Sequence, residues 1–128
     1  MSYYYARTIR ASFEDAVART REALQAEGFG VITEIDVQKT LKAKINVDFR
    51  RYLILGACNP EMAHQALEIE DKVGTMLPCN VVVQERSEGT VEIAAIDPVA
   101  SMQAIENLAL TEKAAEVGAK LRSALDRI

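Results

Sequence analysis

The sequence predicts an α+β fold of two layers, a single mixed or antiparallel sheet with helices packed on one face. Three observations lead there. Segments that alternate with the period of a strand are interleaved with segments of helical period. Two apolar arms, Val81 to Arg86 and Thr90 to Ile96, flank Ser87-Glu88-Gly89 and form a hairpin, so part of the sheet at least is antiparallel. Finally, 128 residues that are 49% hydrophobic make a chain long enough for one core, and residues 1–128 read as a single domain.

Taken in order, Ser2 to Ile9 alternates as a strand, with Tyr3, Tyr5, Arg7 and Ile9 on one face. Ser12 caps a helix with Glu14 and Asp15 in its first turn, where the helix dipole favours acids. Phe13, Ala16, Val17, Thr20 and Leu24 give that helix its buried stripe, Asp15 and Arg19 can pair on its outer face, and Gly28 stops it. Val31 to Ile35 is a second strand. Asp36 then caps a short helix with Val37, Leu41 and Ile45 at four-residue spacing. Tyr52 to Ala57 is an unbroken apolar run suited to a central strand. Asn59-Pro60 is a helix start, with Asn as the cap and Pro at a position whose missing N–H costs nothing. Met62, Ala63, Ala66 and Leu67 form the apolar side of this helix, and Gly74 and Pro78 break the chain before the hairpin. Gly89 suits the left-handed position of a three-residue loop with a bulge. Val99 to Leu110 reads as a loose helix packed by Met102, Ile105 and Leu108. A last helix follows Thr111, with Ala114, Val117, Leu121, Leu125 and Ile128 on one face. A sheet covered on one side leaves Tyr and aliphatic residues on the other, which points to a homodimer through the sheet or its edge.

Composition narrows the function classes. A net charge of −4 argues against a nucleic-acid partner. The first ten residues lack the apolar core of a signal peptide, and no later run approaches a membrane span, so a cytoplasmic location is expected. There, two cysteines are expected as thiols.

The concentrated chemistry is two Cys-Asn pairs, Cys58-Asn59 and Cys79-Asn80. Cys58 immediately precedes a helix N-cap, where free N–H groups and the positive dipole end favour a thiolate and should lower its pKa. Cys79 shares this neighbourhood only if the strands after Cys79 and before Cys58 run antiparallel; a parallel crossover would separate the two by a strand length. The plainer reading makes both cysteines small buried hydrophobes and both asparagines caps or turn residues. His64 lies on the edge of its helix's apolar face and is as well suited to a surface pair with Glu61 or Glu68 as to a ligand or base. Two cysteines and one histidine fall short of the four ligands of a closed zinc site. Glu34 and Asp36 share a face by alternation and are candidates for a carboxylate pair. Lys39, Lys42, Lys44, Arg50 and Arg51 form a basic stretch that suits an anionic ligand or, more commonly, solvent.

The runs Gly28 to Gln38, Ile54 to Pro60 and Leu77 to Val83, with the Ala95-Ile96-Asp97-Pro98 step, resemble the bacterial and archaeal family catalogued as domain of unknown function 302. The resemblance covers nearly the whole chain. It implies a TATA-binding-protein-like α+β fold and a tendency to dimerise, carries no settled activity, and draws attention to Glu34, Asp36, Cys58, Asn59, Cys79, Asn80 and Asp97. A likeness of fold does not bring DNA binding with it. Three functions remain in play. The first is a dimeric binding module for a small ligand, metal or haem, with Glu34, Cys58, Asn59, His64, Cys79 and Asn80 as candidate site residues. The second is a thiol-dependent redox protein or enzyme using Cys58. The third is a structural or protein-interaction dimer. No particular cofactor is implied.

Overall fold

Five strands and five helices, with one 3-10 turn, account for most of residues 2–128, the part of the chain that the computed structural model describes. They are β1 (Tyr4–Arg10), α1 (Phe13–Ala26), β2 (Gly30–Asp36), α2 (Val37–Ile45), β3 (Tyr52–Cys58), α3 (Pro60–Ile69), a 3-10 helix (Asp71–Met76), β4 (Cys79–Ser87), β5 (Thr90–Ile96), α4 (Pro98–Ser101) and α5 (Leu108–Asp126). The strands form one sheet in the order β1-β5-β4-β3-β2, and every neighbouring pair is antiparallel. α1 and α5 cover one face. The two-layer α+β expectation holds, and the sheet is antiparallel throughout.

Alternation sorts the side chains. Leu53, Leu55, Ala57, Cys79, Val81, Val83, Val91, Ile93 and Ala95 all point into the helix layer and are buried. With Leu24 of α1 and Leu121 and Leu125 of α5 they make the main core, which is aliphatic apart from Phe13 and Phe29. A smaller cluster lies beside it, where Ala66 of α3, Val73 of the 3-10 helix, Met102, and Leu110 and Ala114 of α5 meet. β1 is tied to the end of α5 by polar bonds. Tyr5 donates its hydroxyl to Asp126 Oδ1 at 2.7 Å, and Arg7 Nη1 donates to the carbonyls of Leu125 and Asp126 at 3.1 and 2.8 Å. The Arg7 guanidinium thereby satisfies carbonyls that a helix end leaves free, where the dipole favours a cation.

The local signals for helix starts are realised in side-chain contacts. Ser12 Oγ, Asp36 Oδ1 and Asn59 Oδ1 accept from the N–H groups of Asp15, Lys39 and Met62 at 3.1, 3.0 and 3.2 Å. Gly28 follows α1 with φ of +87°, and a Cβ there would stand 3.1 Å from Asn59 Nδ2. The positive φ favours glycine here, and the close Asn59 side chain adds to that preference.

Four details differ from the sequence reading. Ser87 pairs with Thr90, so the hairpin loop is the two residues Glu88-Gly89, and the register shift falls inside β4 between Glu85 and Ser87. Gly89 does take a positive φ, +77°. α5 starts three residues earlier than Thr111, because Asn107 Oδ1 accepts from Leu110 N–H at 3.2 Å. Leu108 is therefore solvent-facing at 76% exposure, and Leu110 packs in its place at 1%. The segment before it forms only the four-residue α4, capped by Asp97, whose Oδ1 accepts from Val99 N–H at 3.0 Å.

Gly56 of β3 stands where the sheet leaves no room for a side chain. A Cβ there would run into the Thr33 side chain and come within 2.7 Å of Pro78 Cγ. Gly56→Ala is expected to lower stability by about 1–3 kcal/mol through overpacking, read as a lower urea midpoint at unchanged m-value. A midpoint equal to that of the parent protein would show that Thr33 and Pro78 move aside freely.

Candidate functional site

β3 and β4 pair with Ala57 opposite Cys79 and Gly56 opposite Asn80. This answers the question that the sequence left open: the strands are antiparallel, and the two cysteines lie at the same end of the sheet, one residue apart in register. Both are free thiols. Cys79 points into the helix layer and is buried, whereas Cys58, the last residue of β3, is half-buried.

Both thiols line a cleft of about 320 Å³ that opens where the two hydrophobic clusters meet. α3 forms one wall with Met62, Ala63, Ala66 and Leu67, the apolar stripe read from the sequence. α5 forms the opposite wall with Leu110, Ala114 and Val117. Phe29, Ala57 and Cys79 floor it, and Pro78, Pro98 and Met102 close its ends. Only two lining residues carry strongly polar side chains. Asn59 caps α3, and Lys113 of α5 bonds Glu116 at 2.9 Å while keeping its own side chain largely sheltered. Three of the lining residues on the two helices, Ala63, Ala66 and Ala114, are small, and Ala66 and Ala114 belong to the smaller hydrophobic cluster.

Burial pushes the Cys79 thiol up to about 11, with a smaller contribution from the neighbouring Cys58. An apolar pocket disfavours the thiolate, and a second thiol nearby adds like-charge repulsion. At neutral pH Cys79 is therefore a protonated, sheltered group. Cys58, at the head of α3 and more open to solvent, is the accessible one of the two.

The other residues singled out in the sequence are placed elsewhere. Asn80 is exposed on the open face of the sheet, across from Gly56 and on the side away from the cleft. His64 projects into solvent at 75% side-chain exposure and meets Glu68 one turn on at 3.2 Å. It is not part of the cleft lining. Glu34 pairs with Arg21 of α1, while Asp36 caps α2, so the two carboxylates that alternation places on one face are engaged separately and do not form a pair. The basic stretch is similarly divided. Lys42 pairs with Asp48 at 2.9 Å, Arg50 stacks on Phe49 and donates to Gln84, and Arg51 stacks on Phe13 and pairs with Glu14. Among the described residues no group of three or more His, Cys, Asp or Glu side chains converges as a metal site.

The sequence reading missed the contributions of α4 and α5 to the cleft. Ala114 and Val117 were legible as an apolar face, but nothing local showed which helix they would oppose. Lys113 carries no sequence signal at all.

The fold and cleft thus define a class: small two-layer α+β proteins with a thiol-lined apolar cleft at one end of an antiparallel sheet. The family described as "Domain of unknown function DUF302" matches residues 5–128, and the chain belongs to that family. A solved structure, that of the uncharacterized conserved protein DUF302 from Bacillus stearothermophilus, is similar to it at 32% identity and a TM-score of 0.91. That likeness covers 99% of this chain and 98% of the other. None of the curated proteins matches the chain.

The Cys79 thiol has a consequence for stability. Its proton is held in the folded protein up to about 11 but is lost from the unfolded chain near 9. Between those values the unfolded state binds fewer protons, so stability falls as pH rises. Urea midpoints at pH 7.5 and at pH 10.5, compared between the parent protein and Cys79→Ala, check this. The parent should lose on the order of 1–2 kcal/mol more than the variant over this interval. Parallel loss in both proteins would assign the effect to other groups.

Proposed function

We propose that this protein is a binding module that takes a small, mainly apolar ligand in the cleft between α3 and α5. The observation that carries the reading is the cleft itself: a chain that fills its main core with close-packed aliphatic side chains leaves about 320 Å³ open between two apolar helix walls. Exposed apolar walls are costly in water, and a cavity of this size lies at the small end of the range that ligand sites occupy. The Lys113 ammonium is the one lining cation, and a ligand with an anionic end can share it with Glu116, which holds it at 2.9 Å. Cys58, Asn59 and Cys79 belong to this site. Glu34, His64 and Asn80 do not line it, and haem, whose axial ligand is often an imidazole, finds none here.

Anilinonaphthalene sulfonate, an apolar body with a sulfonate end, tests the reading. The folded protein should bind it with a rise in fluorescence, and Ala63→Phe, which fills the cleft, should weaken binding at least about tenfold, or 1.4 kcal/mol. Lys113→Gln should weaken the sulfonate but leave an uncharged dye unaffected. No uptake of either dye by the parent protein would sink the proposal.

The open face of the sheet supports assembly as a homodimer. Ile54, Val82, Ala94 and Ile96 form its centre, with Tyr4 and Tyr52 alongside. Its polar groups are linked to one another: Gln84 accepts from Arg50 and Arg86 at 2.9 and 3.2 Å and donates to Glu92 at 3.3 Å, and Arg86 pairs with Glu92 at 4.0 Å. Five strands about 4.8 Å apart and about seven residues long present roughly 570 Å² per protomer. Two such faces give roughly 1,150 Å², close to the lower bound for a specific interface. Sedimentation should give twice the 14.1 kDa chain mass, and Val82→Arg should give the single-chain mass with unchanged circular dichroism. A parent protein that sediments as a monomer at tens of micromolar excludes this interface.

A further inference from the structure

Strand order fixes the shape of the cleft. Its lining passes from Ile32 on the edge strand β2, through Cys58 at the end of β3 and Cys79 at the start of β4, to Pro98 of α4, which begins just after β5. β2, β3, β4 and β5 are consecutive neighbours in the sheet. Three strand spacings of about 4.8 Å make the cleft roughly 14 Å long. A volume of about 320 Å³ over that length leaves a mean cross-section of roughly 23 Å². That is the section of one extended alkyl chain, walled on its long sides by α3 and α5. The β2 end has a device of its own. Val31 pairs with Ala57 and Thr33 with Gly56, so Ile32 is an extra residue, a bulge on an edge strand. A bulge redirects a side chain, and Ile32 lines the cleft while remaining 62% exposed. With Leu67 of α3, also exposed, it gives the cleft an apolar rim.

We propose that the ligand of this cleft is a linear medium-chain fatty acid, its alkyl chain laid across the ends of β2 to β5 and its carboxylate on Lys113; the proposal rests on the apolar-ligand reading above. Length agrees. With bonds of about 1.5 Å near the tetrahedral angle, an extended chain advances roughly 1.25 Å per carbon, so about ten to twelve carbons span the slot. Met62 and Met102, unbranched and flexible, let its walls follow such a chain. Charge agrees as well. Lys113 is the one cation of the lining, and no carboxylate stands among the described lining residues. Its pair with Glu116 is at the surface, where such a pair contributes little and yields to a second carboxylate.

The test is isothermal titration calorimetry of the full chain with hexanoate, octanoate, decanoate, dodecanoate and tetradecanoate, each below its micellar concentration. Affinity should rise about fourfold per methylene, the transfer value for one CH₂, until the chain fills the slot, and then level off. Adamantane carboxylate, a globular cage of similar carbon number, should bind at least about tenfold more weakly than decanoate. Ile32→Glu, at an exposed position, should weaken dodecanoate at least about tenfold with an unchanged urea midpoint. Lys113→Gln should weaken decanoate and leave decanol unaffected. Affinity that ignores chain length or still climbs at tetradecanoate, equal binding of the cage, or unchanged affinity in either variant would each overturn the proposal. Dye binding without fatty-acid binding would overturn it and leave the apolar-ligand reading standing, whereas failure of dyes, decanol and fatty acids alike would end both.

Discussion

Antiparallel pairing of β3 with β4 is the constraint on which the rest of the structure depends. It sits at the centre of the five-stranded sheet, and its register sets Ala57 against Cys79 and Gly56 against Asn80. With strand side chains alternating, that register sends Leu53, Leu55, Ala57, Cys79, Val81 and Val83 into the core together. A slip by one residue would turn Asn80 and Gln84 inward and expose Val81 and Val83. The same register brings two cysteines, twenty-one positions apart in sequence, to one end of the sheet. Gly56 makes it sterically possible, since Thr33 and Pro78 close over the place where its side chain would be.

From this arrangement the cleft follows. α3 leaves the end of β3 and returns along the helix layer, so its apolar stripe faces α5, and Ala66 packs with Leu110 and Ala114 in the smaller cluster beside the cleft. The cleft is lined by residues of both hydrophobic clusters. Burial raises the pKa of Cys79, while Cys58, one residue away in register, is only half-buried at the head of a helix. Two chemically identical side chains are thus made unequal by their surroundings, and the cleft combines a protonated thiol, an accessible thiol, a thioether and one cation within apolar walls.

Much of the fold was legible because its signals are local. The caps Ser12, Asp36 and Asn59, the stop at Gly28, and the strand alternation all act within a few residues, and each holds in the structure. Where competing local signals were available, the reading went astray. Thr111 and Asn107 are both good N-caps, and what decides between them is whether Leu108 or Leu110 finds a core, which is a tertiary matter. The basic stretch reads more commonly as a solvated face than as an anion site, and neither reading names its partners Glu14, Gln84 and the ring of Phe13, which lie far off in sequence.

The sequence by itself determined the fold class, the order of the main elements, the family, and the two Cys-Asn motifs as the chemistry to follow. It also determined that Asn59 is a helix cap, since that role is satisfied within three residues. Only the tertiary structure decided that the cysteines share a cleft, that Asn80 and His64 do not, and that Lys113, Met102 and the α5 wall belong to it. The physical reason is range. Caps, turns and periodicity are set by neighbours along the chain, whereas a cleft is set by which helix faces which across the sheet. That depends on strand order and register, for which the long connection between β3 and β4 carries no local code.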